Sequence, residues 1–508
     1  MKSKTIIIIC VCLILSFILI SCGGENGGDN NSNGGLETPV NNGGINENED
    51  SGQPGENPAE IIPDFPHEAR TFGGKIFNIL TEEEPTNFLK ITDFEMEEEP
   101  GEILGTAIYR RNQIIEETLD IKITGVQVGR DNARRTLTRA VNAGTNDYDA
   151  AAMRLENAAP TAMAGECVNL NNLQYMSLDM PWWDQNILKD TSVGKQAYLI
   201  AGDIFTKHYE AMSMIFFNKK LLSDYGLESP YNLVGNNQWT IEKFGELTKN
   251  ITRSLDGSGV MTPNDLYGLA TQIDFLPSMI NGSGEKFVEK DSGDIPYFKG
   301  NSEKIGDIID KVLDFYIDDT FCVHRDALRR NIPFDRMHQF MVFPYGRSLF
   351  LWGLPRFIDL ELRTMDDDFG MLPIPKWDSN QDRYYATVNT WHSYAWLIPQ
   401  GSGDPDDTAY IMDAMAYQGR IHILPAYYDI TLQRKHTRDE ESSAMLDIIF
   451  ISAVYDIGFM YNLGNFISNL HNMLERNLNN LASEYDKVQS RIERDLERLI
   501  EQFESNAN

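Results

Sequence analysis

The alternation of apolar and polar positions changes rhythm several times along the chain, and each rhythm predicts an element. Ile6 to Ile20 is apolar apart from Ser16. That run is about fifteen residues, short of the roughly twenty a membrane-spanning helix needs. Lys2 and Lys4 precede it and the small Ser21 follows, which is the layout of a secretory signal. From Gly23 to about Pro66 the rhythm stops. The stretch is Gly, Asn, Glu, Ser and Pro with almost no aliphatics. It cannot bury enough apolar surface to offset the entropy of ordering. Residues 22–66 are therefore expected to form a disordered tether, spanning about 35–40 Å r.m.s..

The body then alternates between two periods. Lys75–Leu80 reads as a strand, and Leu104, Ile108, Ile115 and Leu119 mark one helix face. Ile121–Val128 alternates as a strand does. Asp131 is placed to cap a helix carrying Ala133, Leu137, Ala140 and Val141. Tyr148–Met153 reads as a short buried strand. Strand, helix, strand, helix, strand is the α/β pattern, with ligands expected at the carboxyl ends of the strands. The pattern restarts with strands at Gln196–Ile200 and Ala211–Phe217. Trp239-Thr240 opens a helix, with Thr240 as N-cap and Trp239 stapled onto Phe244. Phe340–Pro399 mixes strands and helices again. At the end, Leu481, Tyr485, Val488, Ile492, Leu496 and Ile500 recur at helical spacing, a packing face.

Composition narrows the class. Roughly 440 residues follow the tether, enough for two or three domains with real cores. Hydrophobic residues make up 42% and aromatics 10%, so the body is globular. The formal charge of −32 repels nucleic acid, whose binding needs basic surface. Of five cysteines, Cys10 and Cys12 leave with the signal. Cys167 and Cys322 either pair or sit as buried small hydrophobes. No zinc motif is present, and no cofactor is expected.

Leu19-Ile20-Ser21-Cys22 resembles a bacterial lipobox, which implies cleavage after residue 21 and a lipid on Cys22. More than one acyl chain would make that anchor stable. The body resembles the extracellular solute-binding proteins of bacterial ABC importers, in the family that binds carbohydrates. The resemblance rests on YDAAAMRLENAAPTAMAGECVNL at 148–170 and GKQAYLIAGDIFTKHYEAMSMIFFNKKLL at 194–222. It continues through GLESPYNLVGNNQWTIEKFGEL at 226–247, the Asp-Gly turn Asp256–Gly268 and FGMLPIP at 369–375. It implies a type II periplasmic-binding-protein-like α/β fold of two lobes, an interlobe ligand cleft and a helical C-terminal region. The expected division is 67–205 plus 342–388 in one lobe and 206–341 plus 389–508 in the other. The resemblance also implies no catalytic step. It implies delivery of a carbohydrate to the transmembrane subunits of an importer. A lipid-anchored monomer on the outer face of a wall-bearing, Gram-positive-type cell membrane is expected.

A sugar presents flat apolar faces and many hydroxyls, so its site needs aromatic platforms and forked polar groups. Of seven tryptophans, Trp391, Trp182, Trp183 and Trp352 are the candidate platforms. Trp391 and His392 are read as strand residues, so alternation puts them on opposite faces. Arg154, Glu156 and Asn157 follow a predicted strand, as do Glu82 and Glu83. Tyr209 and Glu210 lie near the lobe crossing. Arg347 and the pair Tyr455 and Asp456 complete the polar candidates. Ser254–Asp265 aligns loosely with a calcium loop, through Asp256, Ser258 and Asp265. With acids missing at two positions, a turn held by Ser and Asp hydrogen bonds is the expectation. Two other classes remain. One is a lipoprotein sensor for a membrane signalling system, which uses the same closure. The other is a surface glycan hydrolase or lyase, which needs two carboxylates at a set separation.

Overall fold

The structure is a computed structural model that describes residues 62–83, 94, 96, 98–249, 251–322, 338–432 and 440–506. The signal, Cys22 and the tether up to residue 61 lie outside these. Strand β1 (Lys75–Glu82) leads to helix α1 (Ile103–Leu119), β2 (Ile121–Val128), α2 (Ala133–Ala143), β3 (Ala150–Arg154) and α3 (Leu155–Met163). Both α1 and α2 end on a left-handed residue, Asp120 and Gly144. That cap turns the chain sharply back to the next strand. The cap before α2 is Asn132 rather than Asp131, and its side chain makes no capping bond. A single turn at Arg130–Asn132 precedes the helix and moves its start past Asp131.

The chain then crosses to a second layer. Gln196–Ile200 is not a strand; it makes isolated bridges at Gln196 and Ile200. Strand β4 (Met214–Asn218) opens the second sheet. Helix α4 (Ile241–Thr248) starts as its sequence dictates: Thr240 Oγ1 accepts from the Lys243 amide at 3.3 Å. The Trp239 ring lies edge-on to Phe244 at 5.6 Å. Strand β5 (Tyr267–Thr271), helix α5 (Glu303–Asp319), β6 (Thr320–Cys322), β7 (Ser348–Gly353) and β8 (Phe369–Leu372) complete this half. The chain returns through β9 (Tyr394–Leu397). Four long helices close it, α6 (Pro405–Leu432), α7 (Glu440–Phe450), α8 (Phe466–Arg476) and α9 (Leu481–Asn506), with a single helical turn at Ile457–Met460 between α7 and α8.

Two sheets result. The first has order β9-β3-β1-β2, with β1 parallel to both neighbours and β9 antiparallel to β3. The second has order β8-β4-β7-β5-β6. The expected assignment of 342–388 to the first lobe is therefore corrected: β7 and β8 pair with β4 in the second sheet. Conversely β9, expected in the second lobe, pairs with β3 in the first. Apolar strands carry no label of sheet membership, because any buried strand can satisfy either ladder. Helix α6 packs along α1, and α7 packs on β8, so the C-terminal helices cover both lobes. In α9, Leu481, Ile492, Leu499 and Phe503 are buried, and the stripe is indeed a packing face.

Candidate functional site

The main cleft, of about 600 Å³, opens between the two sheets. Its walls are the residues that follow strands. Arg130 comes after β2, Glu156 after β3, and Gln272, Ile273 and Asp274 after β5. These are the carboxyl ends of parallel strands, where an α/β sheet leaves room for ligand. Asn389, Thr390, Trp391 and His392 come from the return crossing before β9. Phe459, Met460, Ile467 and His471 close the cleft from the C-terminal helices.

Trp391 is 57% exposed, unusual for so large an apolar ring. Its backbone explains the presentation. Residues 389–393 form a turn, not a strand. Asn389 Oδ1 accepts from the Trp391 amide at 3.0 Å, and Asn389 O accepts from the Ser393 amide at 2.9 Å. The alternation expected of a strand thus fails, and Trp391 and His392 line the same cleft. The Arg130 guanidinium lies over the Trp391 ring at 5.6 Å and 3.6 Å from Glu156 Oε1.

Beneath this wall, Arg154 pairs with both Glu82 and Glu156. Asn157 Nδ2 donates to Glu82 Oε1 at 2.8 Å. Arg154 and Glu82 are buried, and Arg154 holds Glu156 at the rim. Burial pushes the Glu82 carboxyl up, against the pull of Arg154. Burial also raises Glu156; Arg154 opposes that, while Glu82 and Asp131 add to it. Across the cleft, Asp274 Oδ2 accepts from Asn389 Nδ2 at 3.2 Å, and His471 Nε2 lies 3.3 Å from Asp274 Oδ1.

His392 is set by a second buried group. Arg356 Nη1 lies 2.8 Å from His392 Nδ1. A guanidinium only donates, so Nδ1 accepts and the ring carries its proton on Nε2. Burial, and then Arg356, Arg154 and Lys207, hold the ring well below its ordinary pKa and therefore neutral. The cleft thus offers an aromatic face, two carboxylates, amides, a guanidinium and an imidazole N–H.

Other expected site residues are placed elsewhere. Trp182 and Trp183 are buried beneath the first crossing, and both indole N–H groups donate to Asp413 Oδ1, at 2.8 and 2.7 Å. Trp352 is fully buried in β7, paired with Ile215 of β4. Tyr209 donates to Asp203 Oδ1 at 2.8 Å. Glu210 is buried and takes Lys207 Nζ at 3.0 Å and Thr206 Oγ1 at 2.8 Å. Burial raises the Glu210 carboxyl, but Lys207 and Arg356 outweigh it and leave it below the usual range. Arg347 Nη1 donates to Pro263 O and to Asn264 Oδ1, both at 3.0 Å. Asp456 accepts from the Phe287 amide at 2.6 Å, and Tyr455 donates to Asp184 at 2.7 Å. In the Ser254–Asp265 loop, Asp256 accepts from Ser254 and Ser258, and Asp265 accepts from Leu255 and Thr262. Cys167 is buried and free.

Sequence reasoning missed Arg130, Gln272, Asp274, Asn389 and His471. The signal that marked Glu156, a polar residue just after a buried strand, also marks Gln272 and Asp274 after Tyr267–Thr271. His471 comes from a helix 315 residues downstream of Glu156 and carried no such signal.

No family model matches the chain, and no curated protein does. Solved structures do. An ABC substrate-binding protein from Listeria monocytogenes in complex with cycloalternan superposes with a TM-score of 0.52 at 12% identity, over 82% of this chain and 98% of that one. The fold is that of type II periplasmic-binding-protein-like solute-binding proteins. A cyclo/maltodextrin-binding protein complexed with maltotetraose gives the same TM-score, 0.52, at 12% identity, over 85% and 97% of the two chains. A sugar transporter from Rhizobium etli, in an open conformation, gives 0.51 at 12% identity, over 84% and 99%. The cleft described above lies between the two lobes of that fold.

Proposed function

We propose that this chain is a solute-binding protein that captures a carbohydrate between its lobes and hands it, chemically unchanged, to an ABC importer. The observation that carries this reading is the exposed Trp391 ring inside the cleft, ringed by Arg130, Glu156, Asp274, Asn389 and His392. A sugar ring lays its C–H face on an aromatic, and its hydroxyls both donate and accept. Glu156 and Asp274 accept from hydroxyls; the His392 N–H and Asn389 amide donate to them. Two of the solved structures that share the fold hold oligosaccharides, cycloalternan and maltotetraose. Ligand that contacts both lobes favours the closed form by its differential affinity alone. The lipid on Cys22 and the tether over 22–66 hold the body at the outer membrane face.

The test is thermal unfolding of the full-length protein with a panel of mono- and oligosaccharides, with product analysis of each mixture. A ligand at about 100 times its Kd stabilises by about 2.7 kcal/mol. Trp391→Ala is expected to weaken binding by about ten-fold or more while leaving the melting temperature of the free protein unchanged. Unaltered binding in that variant removes the ring from the site. Shortened chains or new reducing ends in the mixtures move the reading to a glycan hydrolase or lyase.

A further inference from the structure

A second cavity, of about 330 Å³, adjoins the cleft, and Asn462 lines both. It is walled by Met163, Tyr461, Leu463, Leu499 and the C-terminal helix residues Arg491 and Arg498. Helix α3 relates the two spaces: Glu156 near its start lines the cleft, and Met163 at its end lines the cavity. At 1.5 Å per residue their backbones are about 10 Å apart, more than one sugar ring. A ligand reaching both must therefore be a chain of linked units.

The polar chemistry of the cavity is mostly committed. Asp495 Oδ2 accepts from the Gly464 amide at 2.8 Å. Asn465 Oδ1 takes Asn462 Nδ2 and Ser468 Oγ, both at 3.0 Å. Tyr461 donates to Ala159 O at 3.3 Å. Arg491 and Arg498 have no hydrogen-bond or ion-pair partner among the described residues. They stand about two helical turns apart, on one face of α9. What remains to a ligand is thus dominated by two guanidinium forks, which only donate and which match carboxylates and sulfates in pairs. The backbone around them is fixed. Gly464 adopts φ 61°, and a Cβ there would run into Ile492 of α9. The turn at 462–465 and the helix that carries the arginines therefore pack as one unit.

We propose that this cavity is a second subsite, and that the ligand is an oligosaccharide with an anionic group, carboxylate or sulfate, one or two units beyond the ring stacked on Trp391. This rests on the carbohydrate reading above. The overall charge of −32 does not oppose it at close range, because at physiological salt the field is screened beyond about 8 Å.

The experiment measures affinities of the full-length protein for trigalacturonate against its fully methyl-esterified form, and for sulfated maltotriose against maltotriose. Wild type, Arg491→Gln/Arg498→Gln and Trp391→Ala are compared at two salt concentrations. At least one acidic sugar is expected to bind about ten-fold or more tighter than its neutral partner. The preference falls with salt and disappears in the double arginine variant. Which pair shows it tells carboxylate from sulfate. Both arginines are exposed, so the variant should melt as wild type does. Neutral sugars that bind in a Trp391-dependent way, with no acidic preference, overturn the subsite and leave the proposed function standing. Absence of binding by all four overturns both.

Discussion

At the scale of single residues, the site is defined by what holds each side chain as much as by what the side chain is. Trp391 is presented to the cleft because Asn389 folds the chain into a turn at its amide. Trp182 and Trp183 carry the same indole, yet Asp413 draws both into the interior. His392 is the most constrained. Arg356 takes its Nδ1, and Arg154, Lys207 and Arg356 set positive charge around it. Glu156, Asp274, Arg130 and His471 are the other charged or titratable groups lining its cleft. Because the folded chain keeps this ring neutral, it binds no proton where the unfolded chain, with an ordinary imidazole near pH 6.5, does. Its contribution is present above about pH 6.5 and is lost as pH falls from there toward the lowered folded value. His208, pushed down to about 3 by burial, acts in the same direction. Asp456, raised to about 6 by burial, acts in the opposite one. A comparison with His392→Asn isolates one group from the others. Denaturant titrations between pH 5 and 6.5 are expected to show stability falling less steeply in the variant, by about 0.7 kcal/mol per pH unit at pH 6.5, rising to about 1.4 near pH 5. An identical slope would mean that the folded ring titrates normally.

At the scale of elements, the C-terminal helix does more than cap the fold. Tyr485 stacks on Phe298 at 5.6 Å, Phe503 meets Tyr198 edge-on at 5.2 Å, and Asn506 Nδ2 reaches Ala162 O at 3.4 Å. One helix therefore touches the Pro296–Phe298 strand, the first crossing and α3. Its 3.6-residue stripe was plain in the sequence, because amphipathicity is a local property. Its partners were not, since they come from three distant segments. Leu499→Ala, at a fully buried position, is expected to cost about 2–5 kcal/mol, read as a lower denaturation midpoint. Helix α6 depends on a different device. Gly419 lies against the carbonyl of Asp203, so a methyl group there would collide with backbone. Gly419→Ala is expected to destabilise the fold despite the better helix propensity of alanine. A raised melting temperature would show that the two segments can separate without loss.

At the scale of the whole molecule, the cleft comes from placing the same kind of strand end in two lobes that face each other. Arg130 and Glu156 leave one sheet, Gln272 and Asp274 leave the other, and the return crossing brings Trp391 between them. Cys22→Ser is expected to move the protein from the membrane fraction to the medium with its saccharide binding intact. Retention in membranes would argue that the apolar segment itself is the anchor.

The sequence alone determined what depends on neighbours along the chain. It located β2, the Thr240 cap with its Trp239 staple, and the packing stripe of α9, because capping and periodicity act over a few residues. It also singled out Glu156 and Trp391, which the fold brings to the walls of one cleft. It could not assign β7, β8 and β9 to their sheets, since apolar strands pair equally well with many partners. Nor could it tell one tryptophan from another. Whether an indole is a platform or a core side chain depends on which distant groups surround it, and only the tertiary structure brings Asp413 to Trp182 and an open cleft to Trp391.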